Sequence, residues 1–261
     1  MSRIDPFRAQ KPEDGEAISA HQRAVFLLVA VIFTTVLLWW DRAKASERQP
    51  VDTAIVLAAD VSASMSMEHL RLQREAYAAA LEDPAFMGAV RSGPLGRIAL
   101  TYFEFSGMTD QRPVVPWIVI ATPADAAKAA QAMRAAPNAM GSATAVGAAI
   151  NYAVGLLLDY GGEMGRAVID VSGDGPTNDG PSSSVARDRA VALGATINGL
   201  PIANPTEPDT VRHYREEVIG GPGAFLIEAR GMQDFGGALR QKLILELGWH
   251  SPSRTAYAAA Q

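Results

Sequence analysis

From Val51 onward, short apolar runs alternate with stretches whose apolar positions recur at helical spacing. This is the mark of a mostly parallel sheet covered by helices on both faces. Asp52–Ala59 (DTAIVLAA) is an apolar run suited to a central buried strand. Met67–Glu82 places Leu70, Arg74, Tyr77 and Leu81 at helical spacing and ends before Pro84. Arg97–Phe105 (RIALTYFEF), β-branched and aromatic, predicts a second strand. Arg112–Ile120 follows after a short polar turn, so the two are expected to pair as an antiparallel hairpin. Pro113 and Pro116 cannot donate to a ladder and confine this third strand to a sheet edge.

Pro123–Ala136 is Ala-rich and helical, ending near Pro137, and Ala145–Tyr160 is a second strong helix closed by Gly161-Gly162. Ala167–Ser172 (AVIDVS) is another buried strand, and Ser184–Leu193 a helix stopped at Gly194. The spacing then predicts a strand at Ala195–Pro201, a helix at Pro208–Glu217, a last strand at Ala224–Ala229 and a last helix at Met232–Leu247. The fold class that follows is α/β, with a mostly parallel sheet, one antiparallel edge strand and helices on both faces. The domain is expected to span residues 51–249, with a flexible tail at 250–261.

The chain before this domain reads differently. Residues 1–23 are polar, with Pro6 and Pro12, and residues 41–50 form a charged linker. Between them Ala24–Trp40 (AVFLLVAVIFTTVLLWW) has no charge. Its seventeen residues stand at the short end of the ~17–25 that cross a bilayer as a helix. Trp39 and Trp40 suit the headgroup level. Residues 24–40 are therefore expected to engage the membrane, as a transmembrane anchor or a signal segment. Ala43-Lys44-Ala45 offers a small-x-small cleavage pattern, against which the preceding region is long and mixed in charge. The expectation is a bacterial inner-membrane protein with its domain in the periplasm, anchored, or released by cleavage after Ala45.

Bulk composition removes several classes of function. A formal net charge of -5 over 261 residues, with no basic and aromatic cluster, excludes the usual nucleic-acid binder. Cysteine is absent, which excludes disulfides, thiolate metal sites and cysteine nucleophiles. His69, His213 and His250 lie far apart and lack the spacing of zinc ligands. A hydrophobic fraction of 48% supports a packed core, and no oligomeric state follows from the pattern.

Candidate chemistry lies where strands end. Asp60-Val61-Ser62-Ala63-Ser64 directly follows the first apolar strand, in the place where ligands bind an open α/β sheet. One carboxylate and two hydroxyls at alternate positions are hard oxygen donors, suited to Mg²⁺, Mn²⁺ or Ca²⁺. Gly141-Ser142-Ala143-Thr144 enters a helix and offers a further hydroxyl at Thr144, with Gly141 giving backbone freedom. Ser172-Gly173-Asp174-Gly175 again ends a buried strand and supplies a second carboxylate at Asp174. Asn178 and Asp179 follow and suit either hydrogen bonds that shape the metal loop from behind or a solvated turn. Glu104 reads as an ordinary polar strand position, and Gly220-Gly221-Pro222-Gly223 as a turn, since no lysine follows to make a phosphate cradle.

These three segments, in this order, resemble the metal-ion-dependent adhesion site (MIDAS) of von Willebrand factor A (vWA) domains, a three-layer Rossmann-like fold. More narrowly, VDTAIVLAADVSASM, VVPWIVI, AVIDVSGDGPTNDG, INGLPI and VIGGPGAFLIEA resemble a bacterial vWA-like family catalogued as DUF1194. The resemblance implies that Ser62, Ser64 and Thr144 bind a metal directly while Asp60 and Asp174 act largely through bound waters. Ala63 stands where relatives usually carry glycine.

The function so implied is noncatalytic: a divalent cation, Mg²⁺ first, presented to an acidic side chain of a protein partner. No positioned general base or second metal accompanies the site. Two alternatives stand beside it. One is a metal-dependent phosphohydrolase with Asp60 as nucleophile, which lacks the acid/base expected at the position of Ser62. The other is a structural vWA domain whose site stays empty.

Overall fold

The computed structural model describes residues 49–248. Five strands form one sheet in the order β3-β2-β1-β4-β5. They are β1 (Val51–Asp60), β2 (Ile98–Phe105), β3 (Gln111–Ile120), β4 (Met164–Gly173) and β5 (Ala195–Pro201). β1 is central and pairs in parallel with β2 and β4, β4 pairs in parallel with β5, and β3 runs antiparallel on β2. The side-chain period of two sends Ile55, Leu57 and Ala59 to one face and Ala54, Val56 and Ala58 to the other. Both faces are covered, so all ten residues of β1 are buried.

The first face packs against α1 (Met67–Glu82), α2 (Pro84–Arg91), α3 (Pro123–Ala135) and a C-terminal helix at Met232–Leu247. The second packs against α4 (Val146–Leu158) and α5 (Ser183–Ala192). It also meets a short helical element in which α6 (Thr210–His213) widens into a π-turn over Tyr214–Val218. The C-terminal helix is α7. Among the described residues no helix is long and apolar enough to cross a membrane. The apolar segment at 24–40 lies outside the described residues, as do the expected tails at 1–23 and 250–261.

Three expectations are corrected. Pro84, read as a helix stop, also starts a helix: Asp83 closes α1 and its Oδ1 accepts Ala85 N at 2.7 Å, capping α2 with proline in its first turn. Phe86, Met87 and Val90 then bury against the first face. The strand expected at Ala224–Ala229 runs along β5 without forming a regular strand: Gly199 N donates to Phe225 O, Ile227 N to Gly199 O and Ala229 N to Pro201 O, with bridges at Gly199–Leu226 and Ile202–Ala229. The ladder stops at its start, where Gly220 N donates to the Ile197 carbonyl and the Asn198 side chain accepts Phe225 N at 3.1 Å instead. The expected helix at Pro208–Glu217 is likewise only α6 and its π-turn. Pro113 and Pro116 do sit on an edge strand, with the β2–β3 register shifting between Leu100 and Phe103. Thr101 Oγ1 donates to Val115 O at 2.8 Å within that irregular stretch.

One polar cluster is buried in the first face. Lys242 Nζ of α7 lies 2.6 Å from Asp170 Oδ2 of β4 and 2.7 Å from Glu246 Oε1, all three side chains being essentially inaccessible. Asn198 Nδ2 donates to Glu246 Oε1 at 2.9 Å. One lysine thus serves two acids, and burial together with Asp170 pushes the Glu246 carboxyl up to about 8, against the opposing pull of Lys242. A carboxyl raised in the folded state stabilises it at pH below its unfolded value, and that stability is lost as pH rises through the folded value. Unfolding free energy is therefore expected to fall between about pH 4.5 and pH 8. Glu246→Gln should flatten this decline in urea titrations across the range. Lys242→Ala, which strands both carboxylates, should cost about 3–5 kcal/mol at neutral pH.

Candidate metal centre

β1 delivers Asp60 to the carboxyl rim of the sheet, where the chain turns before α1. Asp60 Oδ1 accepts Ser62 N at 2.8 Å, and Met65 N donates to Ser62 O at 3.1 Å, folding the DVSAS segment into a compact loop. Gln73 of α1 donates to Asp60 O at 3.0 Å, and Val61 N to Phe105 O at 2.8 Å, so the loop is fixed from both sides. Ser62 Oγ and Ser64 Oγ are 2.9 Å apart, and Ser64 Oγ donates to Asp174 Oδ1 at 2.5 Å. Asp174, at the end of the neighbouring β4, is held on its other oxygen by Asn204 Nδ2 at 3.1 Å, while Thr210 Oγ1 donates to its backbone carbonyl at 3.2 Å.

Thr144 reaches the same rim. Gly141 N donates to Val61 O at 2.8 Å, which pins the 137–145 loop onto the first motif. Asn178 brackets Thr144 through Thr144 N to Asn178 Oδ1 at 2.8 Å and Asn178 N to Thr144 O at 2.9 Å. Thr144 Oγ1 lies 3.8 Å from the point a side chain on Gly175 would occupy, beside the Asp174 loop. Asp60, Ser62, Thr144 and Asp174 are buried and Ser64 is exposed. All five predicted site residues therefore lie at one rim, with Ser62, Ser64 and Asp174 in direct contact. Of the predicted supporting residues, Asn178 holds Thr144, and Asp179 accepts Met108 N at 2.7 Å and Gly180 N at 2.8 Å. A Cβ on Gly141 would collide with Ser106 Oγ and Cβ. Ala63 is exposed.

The charge of this arrangement is unbalanced. Burial pushes the Asp60 carboxyl up to about 7, the Ser62 hydrogen bonds pull it down, and Asp174 nearby adds to the rise. Asp60 Oδ2 is buried without a hydrogen-bond partner among the described residues, as is the Tyr214 hydroxyl. Both face the space beside Gly173, where a Cβ would lie 2.8 Å from Asp60 Oδ2 and 2.7 Å from Tyr214 Oη. A buried carboxylate oxygen with no donor is costly unless a positive charge or a proton compensates it. No group of three or more His, Cys, Asp or Glu side chains gathers to hold a metal among the described residues, so the donors on offer are hydroxyls with two carboxylates behind them.

Several contributors were invisible in the sequence. Arg74 of α1 pairs with Glu104 at 2.6 Å and reaches the Ala136 and Pro137 carbonyls, so it clamps the start of the Thr144 loop. Glu104, read as an ordinary strand position, is the buried anchor of that clamp. His213 Nε2 accepts Thr177 N at 3.3 Å, and Thr177 Oγ1 accepts Val146 N at 2.9 Å, capping α4 from the Asp174 loop. Asn204 carried one legible signal, a polar residue just past the end of β5.

A five-stranded, mostly parallel sheet between two helical layers, with this rim of hydroxyls and acids, defines a vWA-like domain. The chain belongs to the family described as "Protein of unknown function (DUF1194)", whose model matches residues 50–251. No curated protein sequence matches it. Among solved structures it is similar to proximal thread matrix protein 1 from the mussel byssus, at 13% identity and a TM-score of 0.52 over 76% of this chain and 46% of that one. A further crystal structure of the mussel protein has a zinc-occupied MIDAS motif. A von Willebrand factor type A protein from Catenulispora acidiphila is similar at 13% identity and a TM-score of 0.55, over 76% of this chain and 43% of that one. The chain spans less than half the length of these proteins, and at such identity the likeness is one of fold.

Gly141→Ala tests the loop packing on which the rim rests. The added methyl must displace Ser106, and the expected cost is about 1–3 kcal/mol in chemical denaturation. Ser106→Gly in the same chain, which removes the atoms in collision, should recover most of it.

Proposed function

We propose that this domain binds one divalent cation at the β1–β4 rim and presents it to an acidic side chain of a protein partner. Ser62, Ser64 and Thr144 would hold the ion directly, and Asp60 and Asp174 would act from behind, largely through bound waters. The observation that carries this reading is the buried, partnerless Asp60 Oδ2 beneath a cluster of hydroxyl oxygens. A cation at the rim supplies the missing positive charge, and the donor set is one of hard oxygens, as Mg²⁺, Mn²⁺ or Ca²⁺ prefer. The zinc in the MIDAS motif of the mussel protein supports divalent binding at this kind of site and leaves the choice of metal to measurement.

Hydroxyl ligands leave most of the ion's charge unquenched, so a carboxylate from a partner is the natural occupant of an open position. Catalysis is the weaker reading. Neither lysine among the described residues serves the rim: Lys242 is bound to Asp170 and Glu246, and Lys128 pairs with Asp125. Ser62 also stands where a phosphohydrolase of this kind would need its acid/base.

Calorimetric titration of the full-length chain with Mg²⁺ and Mn²⁺ tests the site. One ion per chain is expected, with Asp60→Ala and Ser62→Ala each weakening binding at least tenfold, about 1.4 kcal/mol. A wild-type chain that takes no ion, or an Asp60→Ala chain that binds as tightly, would end the reading. Placement of the domain in the periplasm by residues 24–40 is part of the same proposal. Alkaline phosphatase fused after Arg48 should be active in a bacterial host, and inactive fusions would reverse that topology.

A further inference from the structure

We infer that the partner at this rim carries its acidic residue among apolar neighbours, because three exposed methionines, one opening α1 and two on loops, form a collar beside the segments that carry the metal centre. The inference rests on the metal-binding reading above and narrows the class of partner.

Met67, Met108 and Met140 are 48%, 54% and 49% exposed. Every other methionine among the described residues is buried or half-buried, so the fully exposed ones are confined to this rim. Single exposed apolar side chains are ordinary on a protein surface, whereas a set gathered around one recess marks an interaction site. Met67 is placed by its nearness in the chain to Ser64, and Met108 and Met140 by backbone bonds of their loops. Met67 opens α1 three residues after Ser64. Met108 stands on the β2–β3 turn, where its backbone N–H donates to Asp179 at 2.7 Å and its Cβ and Cγ pack against Gly180. Met140 precedes Gly141, whose N–H donates to Val61 O at 2.8 Å. The collar is therefore built on the same framework that positions Ser62, Ser64 and Thr144.

Charge selects the occupant. Asp60, Asp174, Asp110 and Asp179 all lie in these loops, and Arg112 is engaged by Asp110 at 3.1 Å. An acidic segment meets like charge at the bare rim, and a divalent cation bound there would offset two of those charges and offer a carboxylate a direct partner. A purely acidic partner would leave the methionine surface wet, and a purely apolar one would bring the ion no carboxylate. Unbranched, polarizable methionine side chains adapt to apolar residues of differing shape, which suits a surface that reads chemistry more than one fixed contour.

The test is selection of random dodecapeptides displayed on phage against the full-length chain in nanodiscs with Mg²⁺, followed by release with chelator. Released clones should share Asp or Glu with at least two of Leu, Ile, Val, Met or Phe within two positions. A synthetic consensus peptide should lose at least tenfold in affinity on a Met67→Ser, Met108→Ser, Met140→Ser chain that keeps wild-type Mg²⁺ affinity by calorimetry. Met108→Ser and Met140→Ser alone should give intermediate losses, which guards against a misfolded triple variant. Clones with an acid but no apolar neighbours, or equal binding to the variant, would overturn the collar and leave the metal site standing. No chelator-released clones from a chain that calorimetry shows loaded would likewise overturn it. A chain that binds no Mg²⁺ fails at the earlier step, and the collar falls with it.

Discussion

A carboxylate buried without a counter-charge is the constraint around which this domain is built. Asp60 ends the central strand in a position sealed by Ser62, Gly173 and Tyr214, and one of its oxygens receives no hydrogen bond. Desolvation alone would drive such a group to its neutral form, which is the direction its titration takes. Asp174 on the adjacent strand adds a second negative charge to the same rim. The fold spends much backbone and side-chain bonding to keep the two acids close. Gln73, Asn204, Thr210 and the Thr144 loop all converge there from elements far apart along the chain.

The sheet contains a useful internal contrast. Four residues before Asp174 on the same stretch of chain, Asp170 also points an acid into a buried place, alongside Glu246. That cluster brings its own cation, Lys242, from α7, and with it the C-terminal helix is tied to the sheet. Among the described residues no lysine or arginine plays the corresponding part at the rim: Arg74 is committed to Glu104 and Arg112 to Asp110. Two acid pairs within one domain are thus handled differently, one meeting a cation of the chain itself and the other meeting none among the described residues. The difference follows from position, since a cluster under α7 has no access to dissolved ions and a cluster at the strand ends does.

Much of this was legible because buried strands leave clear marks. Polar residues directly after DTAIVLAA and AVIDVS cannot belong to the core, and their place at the carboxyl ends of parallel strands made Asp60 and Asp174 candidates at once. What escaped depended on partners distant in sequence. Ser64 and Asp174 are 110 residues apart, and Arg74 reaches both Glu104 and the Ala136 carbonyl, contacts that no local pattern encodes. Pro84 misled because the same ring that ends one helix suits the first turn of the next. Ala224–Ala229 does lie along β5, but its ladder is cut short because the Asn198 side chain, rather than a β5 carbonyl, accepts Phe225 N.

The orientation of Asp60 bears on adhesion against hydrolysis more directly than any motif does. A nucleophilic carboxylate must present a free oxygen toward the bound substrate, at contact distance from the reacting atom. Here Oδ1 is taken by Ser62 N, while Oδ2 faces inward, to the Gly173 backbone and the Tyr214 hydroxyl of the π-turn. The oxygens that do approach solvent are hydroxyls, with Ser64 the most accessible, and its proton is held by Asp174. Under the proposed function, such an arrangement would hold an ion from beneath and leave the outward direction to whatever the ion attracts. An acid placed there would meet a cation rather than a reacting group, and its binding would be reversed by removal of the metal.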